Sequence, residues 1–442
     1  MATTARASGK EIFGWAMFDF ANSSYTTVII TVVYCVIFPR LIVGDAPEYR
    51  LGNLLWSSAL SISYCLVLLA SPLLGAIMDF TASKKRFLFV SYILTVIATA
   101  ALFFVHPGNI ILGMVFIVLS NIGFSFSEAF VSSFLPDLGP PDDLGKISGY
   151  AWGLGYFGGL ASTAIVMFGL GALTIENFPN LTLVGPVTGA FFLLAAIPTF
   201  LWVKERGTAQ ELPRGESYLS IGFKRLKKTF MQIRDYRDLV ILLASFFFAY
   251  AGLSIVISFA FIYGDQIIKW TGLTQMLMFI ITQLTAAGGA FLFGVIQDRW
   301  GAKRTFAATL VIWVAAVTFI YGVDGITAFL NGLFGASLQA QHVFLVIGSI
   351  AGLGLGATQS ACRAMVGLFS PDTKSGEFYG LWSLTGKLAA IFGLMGLGVL
   401  QVALGLQNAI LVCSAFFVIA IIIALFVNET RGRAAAADHS GE

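Results

Sequence analysis

Four ionisable side chains lie inside long apolar segments of the chain: Asp19, Glu128, Arg363 and Lys387. A charge at such a position is costly in hydrocarbon, so each residue is a candidate for function. The two acids belong to the first half of the sequence and the two bases to the second half. A site between the halves would suit a zwitterion, with its amine near Asp19 or Glu128 and its carboxylate near Arg363. The alternative is that the four residues pair with one another as structural salt bridges.

Proton transfer is the second chemistry that these residues could perform. A carboxylate in apolar surroundings can load and release a proton near neutral pH, which makes Glu128 the first candidate for a proton-coupling residue and Asp19 the second. Asp19 also has a structural interpretation, because Asn22 and Tyr25 share its helical face and the three could hydrogen-bond neighbouring helices. The predicted substrate-binding residues are Asp19, Asn22, Tyr25, Ser132, Gln359, Arg363, Trp382 and Lys387.

The segments that carry these residues have the length and composition of membrane-spanning helices. Of the 442 residues, 57% are hydrophobic and 11% are charged, and the net charge is +3. This balance excludes a cytosolic enzyme, a disordered protein and a nucleic-acid-binding protein. The apolar residues form blocks of about 20 or more, long enough to cross a bilayer as helices. We predict an all-α membrane protein with twelve spans, at about residues 12–38, 52–78, 86–105, 109–135, 146–170, 184–203, 239–264, 274–297, 303–323, 341–369, 376–402 and 406–428.

The distribution of basic residues predicts the orientation of these spans. Lysine and arginine are concentrated in the termini and the even-numbered loops, whereas the odd-numbered loops hold only Arg40, Arg50 and Lys269. By the positive-inside rule, both termini are cytoplasmic. In a bacterium the protein would lie in the inner membrane.

One long polar segment, residues 204–238, separates an N-terminal six-helix bundle (1–203) from a C-terminal bundle with a short tail (239–442). Its apolar residues recur at spacings of three and four between cations, which predicts an amphipathic helix lying on the inner leaflet. A passive linker is the simplest interpretation, and a calmodulin-binding or lipid-sensing helix is the alternative. Segment 325–341 is apolar but too short to cross, so we expect a surface-lying outer helix or a half-buried loop.

A loop motif recurs at matching places in the two halves. Residues 75–86 and residues 294–304 each contain Gly-x-x-x-Asp followed by a basic cluster. The pattern resembles the loop signature of the major facilitator superfamily, although Phe80 and Ala82 depart from it in the first copy. The resemblance implies two six-helix halves, a known repeat architecture of secondary transporters, and a cytoplasmic latch in which aspartates pair with basic residues. The alternative to a latch is that each aspartate merely lies near the end of a helix and that the basic residues anchor the flanks of the span. The implied latch residues are Asp79, Lys84, Arg86, Asp298, Arg299 and Arg304.

The opening segment narrows this resemblance to one branch of the superfamily. Residues 15–25, Trp-Ala-Met-Phe-Asp-Phe-Ala-Asn-Ser-Ser-Tyr, are similar to the opening motif of the autophagy-related vacuolar amino-acid effluxers and their bacterial relatives. Further matches at 134–142, 145–159, 359–363 and 377–387 extend the likeness over the whole membrane part. The fourth span departs from the usual aromatic–Asn pair, with Val131 and Ser132 there and an additional Glu128. The resemblance therefore indicates the family more strongly than the substrate.

Together these features predict a secondary transporter that moves an amino acid or related zwitterion by alternating access, coupled to protons. The ATP-binding motif G-x-x-x-x-G-K-[ST] and the metal motif H-E-x-x-H are absent from the sequence, so we expect no catalysis, no metal and no cofactor. The expected partners are a small-molecule substrate, protons and membrane lipids, and we expect a monomer that binds no nucleic acid. An exporter of amphiphilic or drug-like molecules is the alternative within transport. A non-transporting sensor or lipid-interacting scaffold is the alternative from another class, although it would need neither paired latch motifs nor buried charges.

Overall fold

The protein folds as a bundle of long helices in a computed structural model that describes residues 6–45 and 49–439. The described backbone contains helices and turns and no strand. Eleven of the described helices are long and apolar enough to cross a membrane. They are α1 (Gly9–Val43), α2 (Arg50–Phe80), α3 (Lys84–Phe104), α4 (Ile110–Leu138), α5 (Pro141–Leu170), α6 (Phe178–Trp202), α7 (Arg237–Tyr263, apolar over Arg237–Ser258), α8 (Gly272–Trp300), α9 (Ala302–Tyr321), α10 (Ala340–Leu368) and α12 (Leu406–Leu425). Helix α11 (Ser375–Leu404) is 30 residues long.

The prediction of an all-α, multi-pass membrane protein is confirmed. Each predicted span coincides with one of the helices α1–α12, and span 376–402 falls on α11. Membrane crossing by α11, and with it the count of twelve, stays a prediction, as does the cytoplasmic placement of the termini. The loop between α2 and α3 and the turn at Gly301 between α8 and α9 carry the two repeated motifs. We call the face on which these loops lie the latch face.

Helix α1 changes its winding just beyond the candidate site. Its first part, Gly9–Ser24, is α-helical and is capped by Ser8, whose side chain accepts a hydrogen bond from the backbone N–H of Glu11. The next eight residues, Tyr25–Val32, form a π-helix. This stretch is mostly β-branched, and β-branched side chains crowd the preceding turn of an α-helix. Insertions of π-helix often mark functional positions, and this one begins three residues after Asn22.

Glycines bring the two halves of the chain into close contact near the latch face. Helix α5 packs against α8, where a Cβ on Gly294 would lie 2.7 Å from the carbonyl oxygen of Gly145. Helix α2 packs against α11, where a Cβ on Gly376 would lie 2.9 Å from the carbonyl oxygen of Gly75. Only glycine permits such approaches of two backbones. The N-terminal half (α1–α6) and the C-terminal half (α7–α12) are thus closed upon each other at the latch face.

Three shorter helices accompany the long ones. The linker contains the helix Tyr218–Met231, so the amphipathic helix expected there is present. The outer segment contains the helix Val323–Phe334, with Phe329 and Leu333 exposed, in agreement with a surface-lying element. A third helix, Glu429–Asp438, follows α12 and was not predicted from the sequence, because its alanine-rich, polar composition carries no membrane signal.

Candidate transport site

Arg363 on α10 is held by side chains of the opposite half of the protein. Its Nη1 donates to Asp19 Oδ2 on α1 at 2.6 Å. Its Nε donates to Ser148 Oγ on α5 at 3.1 Å, and its Nη2 donates to the carbonyl oxygen of Ser148 at 3.0 Å. A buried guanidinium needs such charge-assisted bonds to offset the loss of water. The Asp19–Arg363 pair therefore joins the two halves inside the bundle.

Two tryptophans enclose the same guanidinium. The Cζ of Arg363 lies 4.8 Å from the ring centre of Trp15 and 5.3 Å from that of Trp152. The Trp15 indole N–H donates to the carbonyl oxygen of Val131 at 2.7 Å, which fixes that ring. Only 2% of Arg363 is exposed. In this conformation Arg363 is enclosed by protein and is not exposed to a substrate carboxylate. It forms an ion pair between the halves, which is the alternative interpretation given above.

The second pair of intramembrane charges, Glu128 and Lys387, lines a cavity. Lys387 Nζ on α11 lies 3.3 Å from Glu128 Oε2 on α4. The ammonium also lies 5.3 Å from the ring centre of Tyr64 and 5.7 Å from that of Phe124, both in the N-terminal half. The cavity is small in this conformation, with a volume of about 20 Å³, roughly the space of one water molecule. It is lined by Glu128, Phe246, Tyr250, Gln359, Trp382, Ser383, Gly386 and Lys387.

Polar groups and aromatic rings share the cavity surface. Gln359 Nε2 donates to the Tyr156 hydroxyl at 3.1 Å. The Ser383 hydroxyl is buried and has no hydrogen-bond partner among the described residues. The rings of Trp382 and Phe246 stack with their centres 5.9 Å apart. The cavity thus offers one carboxylate, one ammonium, neutral polar groups and an aromatic wall, a combination typical of sites for small organic solutes.

The structure separates the predicted substrate residues into two groups. Five of them either line the cavity, as the proton-coupling candidate Glu128 does, or form the Asp19–Arg363 ion pair. Tyr25 does neither, because its hydroxyl hydrogen-bonds Ser120 Oγ at 2.9 Å and its ring stacks on Phe124. Asn22 and Ser132 are buried outside the cavity lining, and Asn22 Oδ1 and Ser132 Oγ have no partner among the described residues. The residues in the first group are Asp19 and Arg363 in the pair, and Gln359, Trp382 and Lys387 in the cavity lining.

Sequence reasoning missed several residues of this region. Phe246, Tyr250 and Ser383 line the cavity, and Ser148 and Trp152 hold Arg363. The aromatic residues were indistinguishable from the many others in the apolar segments. A signal for Ser148 did exist, because it falls inside the family-like stretch 145–159.

The two repeated aspartates bind the ends of helices in the opposite half. Asp79 at the end of α2 accepts backbone N–H bonds from Gly376 and Glu377 of α11, each at 2.9 Å. Asp298 at the end of α8 accepts the N–H of Gly145 at 2.9 Å and of Lys146 at 3.0 Å, both in α5. Free N–H groups and the helix dipole make a helix N-terminus a natural site for a carboxylate. The two contacts are equivalent in the two halves and form a symmetrical latch.

Backbone amides, and not the basic side chains expected from the sequence, are thus the hydrogen-bond partners of these aspartates. Lys84 Nζ pairs with Asp137 Oδ2 at 2.8 Å and donates to the carbonyl oxygen of Ser133 at 3.0 Å, both within its own half. Among the described residues, no ion pair joins Asp79 or Asp298 to the basic residues proposed for the latch. Two backbone amides of a helix offer a carboxylate better-oriented donors than flexible surface side chains do. Arg86, Arg299 and Arg304 form no ion pair among the described residues, and Arg299 and Arg304 line a groove at the latch face.

Further ion pairs cross or flank the latch face. Arg433 of the C-terminal helix pairs with Asp142, in the first turn of α5, at 2.9 Å. In the linker, Glu205 accepts the backbone N–H of Lys84 at 2.9 Å and of Lys85 at 2.7 Å, which satisfies the start of α3. Burial raises the pKa of the Glu205 carboxyl, and these two donors oppose that rise. The C-terminal helix thus adds to the closure that the aspartates provide, whereas Glu205 of the linker stabilises the start of α3 in the N-terminal half.

Comparison with known proteins gives the class of this fold and site. The chain is 25% identical to an uncharacterized MFS-type transporter, YxiO, of Bacillus subtilis, over 95% of each chain. It is 25% identical to autophagy-related protein 22-1 of Aspergillus niger, over 65% of this chain and 48% of the fungal protein, so it spans about half the length of that relative. Its fold is similar to the human organic anion transporter MFSD10 (TM-score 0.70, 13% identity, 94% of this chain and 99% of that one). It is also similar to the major facilitator transporter FucP in the outward conformation (TM-score 0.67, 15% identity, 94% and 98%).

These findings define a secondary transporter of the major facilitator type. Residues 55–437 match the family described as vacuole effluxer Atg22 like. The chain belongs to this family. The family resemblance read from the opening motif, the repeated loops and the later spans is confirmed.

Proposed function

We propose that the protein transports an amino acid or related zwitterion, coupled to protons, at the Glu128–Lys387 pair. The observation that carries the proposal is the 3.3 Å contact between these two groups in the wall of a cavity between the halves. A zwitterion brings the same two charges as the pair itself. Its ammonium can replace Lys387 at Glu128, and its carboxylate can bind the released Lys387.

Proton coupling follows from competition for one carboxylate. The Lys387 ammonium, a substrate ammonium and a proton are alternative partners of Glu128. A proton on Glu128 removes its charge and so breaks the ion pair that holds Lys387, while the rings of Tyr64 and Phe124 stay beside the ammonium. Substrate and proton occupancy at the site are therefore linked.

In alternating access, the Asp19–Arg363 ion pair and the latch contacts of Asp79 and Asp298 act as the gate. We place the latch face in the cytoplasm, with twelve spans, and take this conformation as outward-facing; the similarity to FucP in its outward conformation supports that assignment. Opening the latch face requires Arg363 to leave Asp19 and Ser148, and Asp79 and Asp298 to leave the helix ends. The family description, vacuole effluxer, supports export from a compartment as the direction in fungal relatives. In a bacterial cell the protein would act in the inner membrane.

Export of amphiphilic molecules is the second candidate, favoured by the aromatic wall of Phe246, Tyr250 and Trp382. A ligand of that kind would bind the rings and would not need both charges. A sensor or scaffold without transport would need neither the latch nor the cavity charges. Substitution of Glu128 and Lys387 therefore distinguishes zwitterion transport from the other two candidate functions.

Ligand-induced thermal stabilisation of the purified protein tests the proposal. The panel contains amino acids, the amines that lack their carboxylate, the acids that lack their amine, and cationic amphiphiles. We expect stabilisation by amino acids alone, lost in Lys387→Met, reduced but still present in Glu128→Gln, whose amide oxygen still accepts a hydrogen bond from an ammonium, and kept in full in the control Glu11→Gln, whose carboxylate pairs with Arg206 away from the cavity. Stabilisation by amphiphiles that persists in both cavity variants would refute zwitterion binding.

A further inference from the structure

The linker helix Tyr218–Met231 uses two different faces. Ile221, Gly222 and Thr229 form its buried face. A Cβ on Gly222 would lie 2.7 Å from Leu73 Cδ1 and 2.8 Å from Ile77 Cγ1, so this face packs tightly on α2. The other face carries apolar side chains that point away from the protein. They are Leu219 (58% exposed), Phe223 (61%), Phe230 (57%) and Met231 (76%).

The contact with α2 places the linker helix beside an exposed apolar surface of α2. Helix α2 presents an exposed apolar stripe of Ile62, Leu66 and Leu69, at the three- and four-residue spacing of one helical face. The next residue of that spacing is Leu73, which the linker helix covers. At about 1.5 Å per residue, Leu73 lies roughly 6 Å below Leu69. The exposed face of the linker helix therefore continues the exposed apolar stripe of α2 toward the latch face.

The charges on the linker helix are all of one sign. Between Tyr218 and Met231 the helix carries Lys224, Arg225, Lys227 and Lys228 and no acidic residue. Lys224 pairs with Glu216, which precedes the helix, and Arg225 belongs to the buried side. Lys227 and Lys228 are both exposed; Lys227 borders the apolar row, and Lys228 lies farther round the helix. A cationic border along an apolar stripe complements an anionic bilayer surface.

The buried side of the same helix reaches the latch. Arg225 Nη2 donates to the carbonyl oxygen of Thr373 at 3.0 Å. Thr373 immediately precedes α11, whose N-terminal amides on Gly376 and Glu377 bind Asp79. Anything that holds the linker helix in place therefore also holds one side of the latch.

We propose that anionic phospholipid is the partner of this helix: Leu219, Phe223 and Phe230 insert into the leaflet, Lys227 and Lys228 bind the headgroups, and the bound lipid stabilises the closed latch. The proposal goes beyond transport, because it assigns a lipid partner to the linker. It needs no substrate and no proton coupling. Its failure and the failure of the proposed function can therefore be told apart.

Hydrogen exchange of the full-length protein in nanodiscs tests the proposal. We compare phosphatidylcholine alone with phosphatidylcholine mixed with phosphatidylglycerol. A lysine at an anionic surface contributes a factor of about five in binding, so we expect protection of the Tyr218–Met231 amides to rise by at least about tenfold in the anionic discs. Lys227→Gln/Lys228→Gln should abolish that rise. The control Arg299→Gln/Arg304→Gln, which removes two cations of the latch face outside the helix, should keep it.

Two further results complete the test. Phe223→Ser/Phe230→Ser should lower protection of the helix in both lipid mixtures, because insertion does not need anionic headgroups. Exchange rates that are equal in the two mixtures would overturn the proposal. Protection that appears only when a soluble acidic protein is added would overturn it as well and would assign a protein partner to this face.

Discussion

Replacing either latch aspartate by asparagine should open the latch face. Asp79 and Asp298 each accept two backbone N–H bonds from a helix N-terminus of the opposite half. The isosteric amide keeps one acceptor, loses the charge and turns an NH₂ group toward an N–H donor. A hydrogen bond to a charged group contributes about 1.5–3 kcal/mol, so we expect each substitution to cost the closed state about 2 kcal/mol.

This free energy translates into a measurable change of population. About 2 kcal/mol shifts the ratio of closed to open protein roughly 30-fold, since about 1.4 kcal/mol is tenfold. The two aspartates bind different helices and share no partner, so their effects should add, and the double variant should shift the ratio by roughly a thousandfold. Both variants should fold normally, because neither aspartate belongs to an apolar packing contact.

Pulsed electron paramagnetic resonance measures the shift directly. Spin labels at Arg86 and Arg304, which are exposed after α2 and α8, report the distance between the halves at the latch face. The matched control is Asp137→Asn, which breaks an ion pair with Lys84 inside one half. Distance distributions that stay unchanged in Asp79→Asn and Asp298→Asn, or that move equally in the control, would refute the latch.

Three other predictions concern the ion pair, the glycine contacts and the cavity lysine. Asp19→Asn leaves Arg363 without its buried counter-charge, so the free energy of unfolding should fall by about 3–5 kcal/mol, seen as a lower melting temperature; a loss below about 1 kcal/mol would contradict the pair. Gly376→Ala should place a methyl group against α2 and favour the open latch face in the same spin-label measurement. Gly396→Ala, which adds a methyl group in open space on the same helix, should have no effect. Equal behaviour of the two variants would argue against the close contact between α2 and α11. Lys387→Met should weaken binding of substrates that carry a carboxylate by about 30-fold in equilibrium binding, since a charge-assisted bond of about 2 kcal/mol is lost; unchanged affinity would remove this residue from the site.

The membrane architecture could be predicted because hydropathy acts on whole segments. Apolar blocks of helical length and the bias of basic residues need no knowledge of contacts, and the repeated Gly-x-x-x-Asp loops give the relation between the halves. The helix Glu429–Asp438 escaped the same reasoning because it is polar. The local sequence likewise gave no indication that Arg433 in this helix would bind Asp142.

The partners of the charged residues could not be predicted, because pairing depends on packing between distant helices. Asp19 and Arg363 are 344 residues apart, and nothing in either segment distinguishes that pair from Asp19 with Lys387. The partners of the latch aspartates could not be predicted from the sequence either. The sequence offered nearby basic side chains, whereas Asp79 and Asp298 bind backbone amides, which every residue possesses and no motif reveals.

Proton-driven accumulation in proteoliposomes tests the central claim most directly. With an amino acid that stabilises the purified protein, the wild type should accumulate substrate under an imposed pH gradient and exchange it without one. Glu128→Gln should lose the accumulation and keep the exchange, because the variant can no longer bind a proton at the site, and Glu11→Gln should keep both. Accumulation by Glu128→Gln with the pH dependence of the wild type would contradict proton coupling at the Glu128–Lys387 pair.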